Sequence, residues 1–105
     1  MITCYLEYRI DPYKREEFRQ YAEMWLPLIR KFGGIHHGYF LPKESASDLA
    51  VALFSFASLA AYETYRSESK SDPECKAASA FADDTRCIIR VNRQFLEPVL
   101  PGSEA

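Results

Sequence analysis

The sequence is poor in the residues and spacings that most often announce chemistry. It has two histidines, His36 and His37, and three cysteines, Cys4, Cys75 and Cys87. None stands in an HxH, HxxxH, HExxH or CxxC spacing. The three or four converging ligands of a zinc or iron site are therefore not supplied by local sequence, and no metal is expected. An odd number of widely spaced cysteines argues against a disulfide framework and for reduced thiols in a cytoplasmic protein. No basic motif adjoins the thiols to make them reactive. Gly33-Gly34 has no GxGxxG or Walker pattern around it, so it reads as a helix terminator. No apolar stretch approaches the roughly 18 residues of a membrane span. The net charge is −2 and no run of five basic residues occurs. Neither a nucleic-acid footprint nor a polybasic membrane patch is expected. The opening "MITCYLEYRI" lacks the basic lead and cleavage site of a signal peptide and reads as a strand.

What is present is the pattern of one small globular domain. The chain has 105 residues, 48% hydrophobic and 27% charged, with no low-complexity segment. A domain of this size buries roughly 60–70% of the surface its unfolded chain exposes. Ile2 to Ile10 alternates: Ile2, Cys4, Leu6, Tyr8 and Ile10 share one face, and Thr3, Tyr5, Glu7 and Arg9 the other. Asp11-Pro12 is an N-cap followed by proline at the first helical position. Phe18, Tyr21, Ala22, Trp25, Leu28, Ile29 and Phe32 then recur at helical spacing. Pro27 within this helix removes one backbone bond and predicts a kink near Glu23–Leu26. A second strand holds "GGIHHGYF" and ends at Leu41-Pro42, and Pro42–Asp48 is a polar loop. "LAVALFSF", Leu49 to Phe56, is apolar on nearly every residue, as in a strand buried on both faces. Ser58 caps a second helix, and Asp72-Pro73 opens a third with Cys75, Ala78, Phe81 and Ala82 as its stripe. Arg86 to Leu96 alternates again. Cys87, Ile89, Val91 and Phe95 share one face, and Ile88, Arg90, Asn92, Gln94 and Leu96 the other. The domain is expected to span residues 1–97, followed by a C-terminal tail, 98–105.

The order strand, helix, strand, strand, helix pair, strand predicts an α+β, ferredoxin-like sandwich with an extra helix before the last strand. Right-handed crossovers put every helix on one face of a four-stranded antiparallel sheet. The other face is bare, yet Leu49–Phe56, Tyr5 and Ile88 give it apolar side chains. A second copy laid face to face would bury them and enclose the polar residues in a cleft, so a homodimer is expected.

Within a strand His36 and His37 point to opposite faces and do not chelate one ion together. Ile35, His37, Tyr39 and Leu41 form the more apolar set and are assigned to the helix side, which turns His36 into the cleft. There it is either a structural hydrogen-bonder or a substrate contact. Tyr5, Glu7 and Arg9 of the first strand, and Arg90, Asn92 and Gln94 of the last, face the same cleft. Glu7 with Arg90 or Asn92 is either a cross-strand ion pair, worth at most about 1 kcal/mol if exposed, or part of a pocket for a small anionic or carbonyl-bearing ligand. Asp83-Asp84, at a helix C-terminus, reads as solvated surface.

The blocks "CYLEYRIDP", "GGIHHGYFLP", "LFSFASLAAYETYR", "DPECKAA" and "RCIIRVNRQFLEPV" resemble, in this order from Ile2 to Val99, the NIPSNAP family in its small bacterial single-domain form. The resemblance implies a dimeric α/β barrel, two ferredoxin-like sheets facing each other. The family has no settled general activity, and no cofactor is expected. The wider superfamily is similar in fold to cofactor-free monooxygenases, heme-degrading proteins, chlorite dismutases and muconolactone isomerase. Two classes of function stay open. One is a cofactor-independent oxygenase or isomerase, with His36 as acid–base and Arg9, Arg90 and Asn92 orienting an oxyanion. The other is a non-catalytic dimeric binding or interaction protein. In either class the candidate cleft is Tyr5, Glu7, Arg9, His36, Arg90 and Asn92.

Overall fold

The computed structural model describes residues 1–44 and 46–101; Ser45 of the polar loop and residues 102–105 of the expected tail lie outside the described residues. The elements follow the expected order: β1 (Ile2–Ile10), a 3-10 turn (Pro12–Lys14), α1 (Arg15–Lys31), β2 (Ile35–Phe40), β3 (Leu49–Phe56), α2 (Leu59–Ser69), α3 (Pro73–Thr85) and β4 (Ile88–Leu96). The strands form one antiparallel sheet in the order β2-β3-β1-β4, the ferredoxin-like arrangement.

Local chemistry sets the boundaries. Asp11, Ser58 and Asp72 each accept a backbone N–H in the following turn, from Tyr13, Ala61 and Cys75 respectively. Each thereby satisfies a donor that the first turn of a helix leaves unpaired. Pro27 lies inside α1 without ending it. Gly33, at φ +90°, reverses the chain, and the N–H groups of Gly33 and Gly34 return to the carbonyls of Arg30 and Ile29. This double bond pattern closes the helix.

The core lies between the sheet and the helices. Cys4, Leu6, Tyr8 and Ile10 of β1 and Ala50, Ala52, Phe54 and Phe56 of β3 pack against Phe18 and Ile29 of α1 and Tyr62 and Tyr65 of α2. Full burial of a side chain of this kind is worth roughly 1.5–3 kcal/mol. A second cluster of Leu28, Cys75 and Ala78 fastens α3 to α1. Lys31 pairs with Asp72 and Glu74 across the same junction. All three cysteines are buried and free. Among the described residues no helix is long and apolar enough to cross a membrane.

Candidate functional site

The helix-free face is built by register. Glu7 lies opposite Asn92, Arg9 opposite Arg90 and Tyr5 opposite Gln94. On the other side of β1 the same residues face Val51, Leu49 and Leu53. Five of the six candidate cleft residues, Tyr5, Glu7, Arg9, Arg90 and Asn92, therefore share one face, as alternation predicts. The cross-strand ion pair between Glu7 and Arg90 does not form. Glu7 instead accepts the Tyr5 hydroxyl at 3.0 Å, a bond that also raises the pKa of that phenol above its ordinary value. Arg9 pairs with Asp48 at 3.4 Å, both half-exposed. This face is open in the single chain.

The sixth candidate, His36, is on the other side of the sheet, which corrects the expected parity. A bulge at His37 interrupts the pairing of β2 with β3: His36 pairs with Phe54, and the next paired residue, Gly38, meets Leu53. One extra residue turns the histidines over. His36 faces the helices, stacked on Tyr39 at 5.0 Å and tilted against Phe54 at 5.6 Å between ring centroids. His37 and Ile35 face the helix-free side instead of the helices. Gly38 supports the bulge with φ +119° and donates its N–H to His36 Nδ1 at 2.9 Å. The neutral ring then carries its proton on Nε2, which is buried without a partner among the described residues. Burial, reinforced by the neighbouring His37, pushes the His36 pKa down to about 4. At neutral pH it is an uncharged donor held in a wall of rings and does not line the open face. His37 Nε2 sits 2.7 Å from Ser55 Oγ, and Ser55 Oγ 2.7 Å from Thr3 Oγ1.

Among the described residues a half-open space lies on the helix side of the sheet. A cavity of about 530 Å³ opens between the sheet and all three helices. Such a volume is typical of small-molecule sites. Tyr8 of β1, Tyr21 and Trp25 of α1, Tyr39 of β2 and Phe54 of β3 form its aromatic wall, together with Tyr62 and Tyr65 of α2. Arg66 of α2, Lys70 at its C-cap, Lys76 of α3 and Arg93 of β4 bring four cations to it, against one carboxylate, Asp83. Among the described residues none of these four cations is paired with a carboxylate. Burial pushes the hydroxyls of Tyr8, Tyr21, Tyr39 and Tyr65 upward. Burial and a bond to Asp72 push the Cys75 thiol to about 11. These groups are protonated at neutral pH and serve as hydrogen-bond donors, not as bases. Trp25 Nε1 is buried and meets no acceptor at full hydrogen-bond geometry among the described residues; the Tyr21 hydroxyl is its polar neighbour. An unpaired buried donor costs about 1–3 kcal/mol, and an acceptor on a bound molecule would recover it.

The family model named NIPSNAP matches residues 5–101. The chain belongs to the NIPSNAP family. Solved structures share its fold. A NIPSNAP family protein of unknown function from Agrobacterium tumefaciens superposes with a TM-score of 0.80 at 18% identity, covering 93% of this chain and 87% of that one. An uncharacterized NIPSNAP domain protein from Burkholderia xenovorans gives 0.76 at 18% identity, over 94% and 95% of the two chains. A candidate antibiotic biosynthesis monooxygenase from Nitrosomonas europaea gives 0.73 at 11% identity, over 95% and 100%. No curated protein matches the chain in sequence. At these identities the likeness is one of fold.

The cavity of this NIPSNAP chain escaped the sequence reading because its wall comes from every strand and every α-helix, with no linear spacing between contributors. One signal was available: Arg93 interrupts the apolar face of β4 that holds Val91 and Phe95. A charge on a face turned toward helices needs either a partner or a cavity.

Proposed function

We propose that this NIPSNAP-family protein is a cytoplasmic homodimer that binds a compact anionic or carbonyl-bearing molecule in the cavity between helices and sheet. The observation that carries the binding site is the pairing of an aromatic wall with cations that no carboxylate neutralises. Anions gain most where cations are already held beside a low-dielectric surface. The dimer rests on the helix-free face, where Ile35 and Phe40 are 53% and 54% exposed beside Leu49, Val51 and Leu53.

Trp25 is the only tryptophan and lines the cavity, so its fluorescence reports occupancy directly. Titration of the purified protein with small aromatic acids, ketones and amines should shift Trp25 emission for acids and ketones and leave it unmoved for amines. A response to amines alone would reverse the assigned polarity. No response to any class at millimolar concentration would remove the binding function and favour a dimeric interaction protein.

A cofactor-independent monooxygenase or isomerase is the second reading. The unpartnered Trp25 N–H and the ring of protonated phenols favour it, because they are donors suited to a developing oxyanion. Oxygen consumption, or double-bond migration in a bound enone, separates catalysis from simple binding.

A further inference from the structure

Two polar features of the cavity differ in chemistry: a pair of arginines with no carboxylate partner among the described residues, and a buried indole N–H. The first is a pair of arginines from different elements. Arg93 stands opposite Leu6 in the β1–β4 register, so it projects from the helix-covered side of the sheet. Arg66, on α2, donates from Nη1 to the Tyr62 hydroxyl at 2.8 Å, with its guanidinium carbon 5.9 Å from the Tyr62 ring centroid. Tyr62 in turn meets Phe95 of β4 edge-on at 4.9 Å, which ties α2 to the strand that carries Arg93. Both arginines act on the same buried thiol, Cys4, and oppose the upward push of its burial. Both guanidinium groups line the one cavity, and among the described residues neither is paired with a carboxylate. A planar carboxylate is the group that two arginine forks hold best. The second feature is the Trp25 indole N–H, a buried donor that wants a single neutral acceptor. It sits on α1, apart from the arginine pair on α2 and β4.

We infer that the ligand is an aromatic or conjugated carboxylic acid that also carries a carbonyl oxygen: Arg66 and Arg93 take the carboxylate, and the Trp25 N–H takes the carbonyl. The inference rests on the proposed binding function and adds to it the two specificity-determining contacts. Rings between the two polar ends would lie along Tyr8, Phe54 and Tyr65 of the wall.

The test is calorimetric titration of the full-length protein with four probes: 4-acetylbenzoate, its methyl ester, benzoate and phenyl phosphate. The keto acid should bind about tenfold or more tighter than the ester, since a charge-assisted pair is worth at least this much. It should also bind several-fold tighter than benzoate. Arg66→Ala and Arg93→Ala should each erase the preference for acid over ester. Trp25→Phe should erase the preference for the acetyl group and keep that for the acid. If Arg93→Ala does not fold, Arg93→Met keeps the aliphatic stem and answers the same question. Equal binding of acid and ester would overturn the inference and leave the binding function standing. So would arginine variants that fold and retain the preference. Tighter binding of phenyl phosphate would replace the carboxylate by a phosphate ester. Binding of none of the four probes at about 1 mM would overturn both the inference and the binding function.

Discussion

Ser55 Oγ lies 2.7 Å from His37 Nε2, on the face of the sheet that carries no helices. The same hydroxyl lies 2.7 Å from Thr3 Oγ1, and Thr3 and Ser55 are only 6% and 1% exposed. Ser55 is therefore the middle of a three-residue chain that lets two buried hydroxyls reach an exposed imidazole. Ser55→Ala should destabilise the fold by about 1–3 kcal/mol, because it leaves the Thr3 hydroxyl buried without its partner. Adding Thr3→Val should recover most of that loss. Urea unfolding of the single and double variants checks this. Equal loss in both would show that packing, not the hydrogen bond, is at stake.

His36 makes stability depend on pH. Its folded pKa of about 4 lies below the ordinary value of 6.5 because burial disfavours the charged ring. Between these values the unfolded chain binds more protons than the folded one. Stability is thus fully present above about pH 6.5, falls as the pH drops toward 4, and this contribution is gone below it. The difference is on the order of 3 kcal/mol. His36→Phe keeps a ring against Tyr39 and Phe54 and should flatten the stability profile relative to the parent across that window. Parallel profiles for the two proteins would show that His36 does not titrate as its surroundings require.

Gly38 should resist substitution. Its φ of +119° is a conformation that side chains rarely adopt, although only Phe40 Cζ, at 3.9 Å, would touch an added Cβ. The penalty is therefore in the backbone and not in space. Gly38→Ala should cost roughly 1–3 kcal/mol and loosen the bulge that sets both histidines. Thermal unfolding measures the cost, and the His36 ring resonances report the bulge. An unchanged melting temperature would mean that the bulge relaxes freely.

The helix-free face should hold two copies together. Sedimentation of the native protein is expected to give twice the chain mass of 12.1 kDa. Leu53→Glu places a carboxylate on that face, opposite Tyr5 and beside Gly38. It should yield a folded monomer, because Leu53 points away from the helix-covered core. A native 12.1 kDa species at micromolar concentration would sink the dimer.

The element order and the faces of β1 were legible in the sequence because they depend on local rules. Asp11, Ser58 and Asp72 announce their helices by capping chemistry that acts within a few residues. Cys4, Leu6, Tyr8 and Ile10 fall on one side by the twofold repeat of a strand. The same rule failed at β2 and at the start of β4. It assumes an unbroken ladder, and the extra residue at each place is chosen by pairing with a neighbouring strand. At His37 the neighbour is β3, and the bulge exchanges the two histidines. Between Arg9 and Ile10 the register with β4 shifts, and Ile88 pairs with Ile10 of the core face. The cavity was decided by tertiary structure alone. Arg66, Arg93 and Trp25 come from three elements with no common spacing, and only the packing of helices on the sheet leaves space between them. The sequence by itself determined which residues are available. The fold decided which of them face one another, because convergence is a property of packing and not of the period along a strand or a helix.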